Sequence, residues 1–307
     1  MSAANETLLV EHNNDENEPG VLSGSSINKQ KLNTQKVNKR KVALGFDKAA
    51  WQYNSLATIQ DEIAGYGIDI LQNMNVNKAE NLLDIGCGTA RSFTQLNNFA
   101  AQILGIDISF NMLQQALLNN TAKKSTSFTV INGDAESLPV HSCSIATVYS
   151  SMALQWCQSP KQALAEVYRV LKPSGKALLC ILTGESFTEL QRGWHHIGLP
   201  SRINMFHSSQ SWIDAADGFN CQLKTFTKEF VSQHKNVLSM LRSIKQIGAN
   251  TKILIAPNSE TLDKSNKVSH HIGKKELSDL SFYLENQNKV GEAFTLTYHV
   301  LFLEISK

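Results

Sequence analysis

Asp84, Gly86, Gly88 and Asp107 are the residues whose types and spacing fit the holding of a nucleotide. The first three lie in Asn81-Leu-Leu-Asp-Ile-Gly-Cys-Gly-Thr-Ala-Arg91, where an apolar run ends on Asp84 and breaks into a glycine turn. Glycine tolerates positive φ and lets backbone N–H groups approach a ligand closely. Gly86 and Gly88 after a buried strand therefore point to a ligand against the strand's C-terminal end. Asp107, 21 residues past Gly86, ends a second apolar run, Gln102-Ile-Leu-Gly-Ile-Asp107, where its carboxylate can accept both ribose hydroxyls. Two cofactor classes share a strand, glycine turn, helix, strand and acid. A dinucleotide fingerprint would place glycine or alanine at position 91, so that helix and strand pack closely over a pyrophosphate; position 91 is arginine.

The elements that must position these residues follow in order. Ser127 to Asn132 reads as a third strand and is followed by Gly133-Asp134-Ala135-Glu136-Ser137-Leu138-Pro139. Ile145 to Ser151 reads as a fourth strand, and Ser159 to Leu171 as an amphipathic helix stopped by Lys172-Pro-Ser-Gly175. Lys176 to Thr183 reads as a fifth strand. Strands alternating with helices predict an α/β, doubly wound, mainly parallel sheet. Upstream, Phe46, Ala49, Ala50, Tyr53, Ala57 and Ile63 recur near a 3.6-residue period and predict a helix from Val42 that covers the sheet. Residues 1–40, rich in Asn, Lys, Glu and Ser and ending in Lys36-Val-Asn-Lys-Arg-Lys41, read as a disordered tail closed by a solvated basic run.

The turn at 84–90 resembles motif I of the S-adenosylmethionine-dependent methyltransferases, commonly Asp-x-Gly-x-Gly-Thr-Gly, with Ala90 where the family has its last glycine. The resemblance implies that Asp84, Gly86, Cys87 and Gly88 frame the methionine portion of the cofactor, with Asp107 and Ile108 beside the ribose. It implies that Asp134 and Ala135 meet the adenine, and that Ser151 lies at the end of the fourth strand next to the cofactor. Phe46-Asp-Lys-Ala-Ala-Trp-Gln-Tyr53 resembles the family's lid, with Tyr53 towards the sulfonium. Ser151-Met-Ala-Leu-Gln-Trp-Cys157 is similar to carboxyl methyltransferases acting on malonyl-acyl carrier protein and on trans-aconitate, which implies a transfer pocket that includes Gln155 and Trp156.

Beyond Thr183 the segments Glu185-Ser-Phe-Thr-Glu-Leu-Gln-Arg-Gly-Trp194, Arg202-Ile-Asn-Met-Phe206, Leu241-Arg-Ser-Ile-Lys-Gln-Ile-Gly-Ala249 and Leu296-Thr-Tyr-His299 resemble, in order, the malonyl-acyl carrier protein O-methyltransferases of biotin synthesis. The resemblance runs over about residues 42–307. It implies a seven-stranded sheet whose last strand is antiparallel, a methyltransferase core over 41–183, a helical cap over 184–293 with a variable insertion near 251–275, and a final core strand over 294–307. It also implies an acyl carrier protein as partner and Arg202 or Arg242 as the arginine that orients the substrate carboxylate through paired hydrogen bonds. Tyr298 and His299 read as sheet packing.

Methyl esterification of a carboxylate needs neither a base nor a metal, because the carboxylate is ionised at neutral pH; it needs alignment and a dry pocket, for which Phe46, Tyr53 and Trp156 are the walls. Composition excludes little. The chain of 307 residues is 42% hydrophobic, enough for one large core or a core with a cap. Its formal charge of +2 does not suggest nucleic acid, and no apolar run is long enough to cross a membrane. Residues 183–256 carry eight Lys or Arg against five Asp or Glu, a weak basic surplus where an acidic carrier would dock. The five cysteines are odd in number, lack CxxC spacing and read as reduced core thiols, and with no secretory signal pattern the expected compartment is the cytoplasm. Other classes compatible with the motifs are another carboxyl or small-molecule methyltransferase, a non-catalytic cofactor-binding assembly factor and, least well supported, an NAD-binding dehydrogenase.

Overall fold

The strands form one twisted sheet in the order β3-β2-β1-β4-β5-β8-β6, with a two-residue β7 paired to β8. The computed structural model describes residues 38–51, 58–78, 80–120, 127–201, 203–246 and 273–307. Helices α1 (Lys39–Ala49) and α2 (Thr58–Asn73) precede β1 (Asn81–Ile85); then come α3 (Phe93–Leu96), β2 (Gln102–Asp107), α4 (Phe110–Asn120), β3 (Phe128–Asn132) and β4 (Ile145–Ser151). A 3-10 turn over Leu154–Trp156 leads to α5 (Pro160–Val170) and β5 (Leu171–Leu182). The second half comprises α6 (Thr188–His196), α7 (Ser209–Ala215), β6 (Gln222–His234), α8 (Val237–Gln246), α9 (Lys274–Gln287), β7 (Lys289–Val290) and β8 (Ala293–Ser306).

β1 to β5 are mutually parallel, and β8 runs antiparallel to both β5 and β6. The expected doubly wound sheet and antiparallel last strand are thus present. Burial on both faces is why β4 and β5 read as near-continuous apolar runs. β8, flanked on both sides, splits its residues by parity. Phe294, Leu296, Tyr298, Val300 and Phe302 join the core against α2, α6, α8 and α9, while Leu301, Leu303 and Ile305 join the core that includes α5 and α7.

Local signals set several boundaries. Ser159 caps α5 by accepting from Gln162 N, Pro160 fills the first turn, and Ala163, Leu164, Val167 and Val170 form the buried stripe. The Lys172 to Gly175 stop is a bulge inside β5, because Leu171 pairs with Ile145 and pairing resumes at Lys176 with Thr147. Helix α1 begins at Lys39, capped by the Asn38 side chain, and the expected tail over residues 1–40 lies almost wholly outside the described residues. The region 184–293 is not all helical cap, since β6 within it pairs with β8 along thirteen positions. The expected insertion near 251–275 lies almost wholly outside the described residues.

Candidate active site

The strand order reverses between β1 and β4, and there the glycine turn leaves β1. The N–H groups of Gly86 and Cys87 both donate to the Ile106 carbonyl, at 2.7 and 3.0 Å, which bends the chain over β2. Gly86 (φ +75°), Gly88 (φ +54°) and Ala90 (φ +59°) are all left-handed. Ala90 thus adopts the conformation that the family's glycine would favour, and the turn survives the substitution. A Cβ on Gly86 would fall 2.1 Å from the Ala153 Cβ, whereas one on Gly88 would meet nothing within 4 Å. Gly86 is required by packing; Gly88 opens onto free space.

Two cavities meet at this turn, sharing Gly86, Gly88, Ser151 and Met152. The larger, about 750 Å³, is lined by Asp107, Ile108, Asp134, Ala135 and Trp156, and roofed by Lys39, Val42 and Phe46 of α1. Asp107 accepts from Gly88 N at 2.9 Å and from Ser109 N at 2.8 Å, one on each carboxylate oxygen, which leaves further lone pairs for a ligand. Burial pushes its pKa up to about 6 against the pull of those N–H groups.

Helix α1 is fastened at both ends. Lys39 Nζ pairs with Asp134 and with Glu136, whose carboxylate also accepts from Gln158 N and Ser159 N. Asp47 accepts from Ser109 Oγ at 2.6 Å and from Asn111 N at 3.1 Å. At the cavity's wall Trp156 sets its ring edge-on against Phe46 and Phe206, with centroids 5.6 and 5.4 Å away, and its buried Nε1 has no hydrogen-bond partner.

The smaller cavity, about 500 Å³, is lined by Gln60 and Asp61 of α2 and by Asp84, Cys87 and Arg91. Asp61 pairs with Arg91 Nη2, while Arg91 Nη1 and Gln60 Oε1 are buried without partners. Burial, and then the neighbouring charge of Asp107, pushes Asp84 up to about 8. The Cys87 thiol is held well above its ordinary value by burial and by the carboxylates of Asp107 and Asp84, so it is a neutral wall and no nucleophile.

Of the residues expected from sequence, Asp84, Gly86, Cys87, Gly88, Asp107, Ile108, Asp134, Ala135, Ser151 and Trp156 line one or both cavities. Gln155 lines neither: it is buried beneath the turn, donating from Nε2 to the Met152 carbonyl at 2.8 Å. Arg242 also lines neither. Val237, Met240 and Ile244 take the buried stripe of α8 and leave Arg242 exposed. Tyr53 and Arg202 lie outside the described residues. Lys39, Gln60, Asp61 and Arg91 line the cavities without having been selected, and Glu136 joins them only through Lys39. Lys39, just inside the Asn38 cap, and Arg91 and Glu136, within the two quoted motifs, carried a local signal, whereas Gln60 and Asp61 carried none.

The paired cavities fit an adenosine joined to an amino acid. The larger offers two carboxylates among apolar walls; the smaller offers an unmatched guanidinium N–H and an unmatched acceptor beside a glycine whose Cβ position is empty. No group of three or more His, Cys, Asp or Glu that could hold a metal occurs among the described residues.

Comparison with known proteins agrees. A methyltransferase domain family matches residues 83–179. The malonyl-acyl carrier protein O-methyltransferase of Herminiimonas arsenicoxydans is 32% identical over 276 residues, covering 88% of this chain and 97% of that protein. Its counterpart in Erwinia pyrifoliae is 35% identical over 215 residues, covering 70% and 78%. The biotin biosynthesis bifunctional protein BioHC of Teredinibacter turnerae is 30% identical over 227 residues, 39% of its length. Among solved structures, YcgJ of Bacillus subtilis superposes with a TM-score of 0.56 at 14% identity, over 79% of this chain and 98% of that one, which supports the fold alone. With its methyltransferase motifs on a doubly wound sheet and its near full-length match to the Herminiimonas arsenicoxydans relative, the chain belongs to the malonyl-acyl carrier protein O-methyltransferase family.

Proposed function

We propose that this enzyme methylates the free carboxylate of a malonyl group carried as a thioester on acyl carrier protein, using S-adenosylmethionine, and that the methyl ester formed enters biotin synthesis. The observation that carries this is the family membership, with relatives matched over 97% and 78% of their length named for that reaction and another named for biotin biosynthesis. The cavity chemistry supports it residue by residue.

In this reading Asp107 receives the ribose hydroxyls, with Ile108 beside the ring. Asp134 exchanges its contact with Lys39 for the adenine amino group, next to Ala135. Asp84, Gly86, Cys87 and Gly88 border the methionine end, and Ser151 stands at the junction of the two cavities. When bound, the donor supplies an electrophilic methyl carbon on a positively charged sulfur. The acceptor carboxylate is already ionised at neutral pH, so no chain residue has to take a proton. What remains for the protein is to aim one carboxylate oxygen and to exclude water, since an anion meeting a cation is held back by the hydration of both. Phe46, Trp156 and Phe206 form a contiguous apolar wall for that purpose, and Trp156 Nε1 is a buried donor free to orient the acceptor.

Among the described residues no helix is long and apolar enough to cross a membrane. The test is mass spectrometry of malonyl-acyl carrier protein incubated with the enzyme and S-adenosylmethionine. A malonyl methyl ester on the carrier's prosthetic group is expected; an unmodified malonyl group in the presence of bound S-adenosylmethionine would overturn the assignment.

A further inference from the structure

Arg91 and Gln60 put two buried polar atoms with nothing to bond on the wall of the same cavity, and they are of opposite kinds. Arg91 Nη1 is a charged donor; Gln60 Oε1, on a residue only 8% exposed, is an acceptor. The other end of the guanidinium is occupied, because Asp61 of α2 pairs with Nη2. That pair leaves Nη1 without a partner on a residue that lines the cavity, and an N–H kept from water without a partner is disfavoured. A neutral ribose or adenine would bring no charged acceptor to the open Nη1 donor. A ligand carrying a carboxylate and an ammonium on one carbon would satisfy both.

We propose that Arg91 holds the carboxylate of the donor's amino-acid end, that Gln60 Oε1 accepts from its ammonium, and that Asp61 is the positioning residue that aims Arg91. The inference rests on the S-adenosylmethionine reading above. It makes α2 part of the cofactor site and gives the protein a means of telling S-adenosyl compounds from adenine nucleosides that lack the amino acid. The competing structural role for Arg91 is a tie between α2 and the glycine turn, and that role would be indifferent to the ligand's carboxylate.

Calorimetric titration of the full chain with S-adenosylhomocysteine and with methylthioadenosine, which keeps the nucleoside and lacks the amino acid, separates the two. Arg91→Met should weaken S-adenosylhomocysteine by about 10- to 150-fold, as for a lost hydrogen bond between charged groups, and leave methylthioadenosine as in the wild type. Asp61→Asn should shift the same ligand in the same direction by less. Unchanged methylthioadenosine binding shows that each variant is folded. If Arg91→Met weakens both ligands equally, or neither, the carboxylate role falls while the cofactor reading stands. If the wild type binds neither nucleoside, the cofactor reading falls and takes this inference with it.

Discussion

The two cavities on either side of the glycine turn are built from different materials. In the larger, the charged groups are already matched, Asp107 by two backbone N–H groups and Asp134 by Lys39, and the open donor on its wall, Trp156 Nε1, is neutral. In the smaller, Arg91 Nη1 and Gln60 Oε1 are unmatched, and Asp84 is buried deeply enough to hold its proton up to about pH 8. A nucleoside is neutral and can be held by shape and a few hydrogen bonds. An amino-acid end is charged twice over and must be met by charge, so the empty protein carries its electrostatic strain at that end.

The largest expected effect follows from that strain. Asp84 is raised from 3.8 to about 8 and Asp107 from 3.8 to about 6, so the folded protein holds these protons more tightly than the unfolded chain. The stability they contribute is complete below about pH 4 and is lost as pH climbs through about 6 and then about 8. Unfolding of ligand-free protein should therefore show a lower Tm at about pH 8 than at about pH 5, and Asp84→Asn should flatten the upper part of that fall. An identical slope in the variant would remove the contrast between the cavities.

Next in size is Asp107→Ala. Losing the ribose acceptor should weaken S-adenosylmethionine by about 1.5 to 3 kcal/mol in calorimetry. Unchanged affinity would take the ribose out of the larger cavity. Trp156→Phe keeps an aromatic ring against Phe46 and Phe206 and deletes only the N–H. It should cost about 1 kcal/mol, a several-fold loss in kcat/KM for the malonyl acceptor, with S-adenosylmethionine affinity unaltered. A loss of donor affinity would move Trp156 from acceptor to donor. The smallest effect belongs to the turn that joins the cavities. Ala90 holds a left-handed φ of +59°, which costs an alanine about 1 kcal/mol more than a glycine. Ala90→Gly should accordingly raise Tm by about 1 to 2 °C without changing affinity.

Legibility in the sequence divides along the sheet. β1 to β5 and their turns could be read because strands buried on both faces leave apolar runs that glycine and proline punctuate, and the glycine turn and both its acids lie in that half. β6 left no such trace: as an edge strand it is mostly exposed, its sequence Gln222-Leu-Lys-Thr-Phe-Thr-Lys-Glu alternates weakly, and only its register with β8 defines it. The site divides likewise. Residues within a motif, such as Gly88 and Asp107, announce themselves by spacing. The Arg91–Asp61 and Lys39–Asp134 pairs join residues 30 and 95 positions apart, and no local pattern encodes the meeting. Arg242 lies on the exposed face of α8, and a helix displays its arginines on the solvent face as readily as in a site.

The most direct test of the central claim is the initial rate of labelled methyl transfer from S-adenosylmethionine to malonyl-acyl carrier protein, malonyl-CoA and trans-aconitate, with Asp107→Ala run in parallel. The account predicts transfer to the malonyl thioester on the carrier protein, a far slower reaction with trans-aconitate, and a rate at limiting S-adenosylmethionine that collapses in the variant. Transfer to trans-aconitate alone, or a wild-type protein that binds S-adenosylmethionine and labels none of the three, would contradict it.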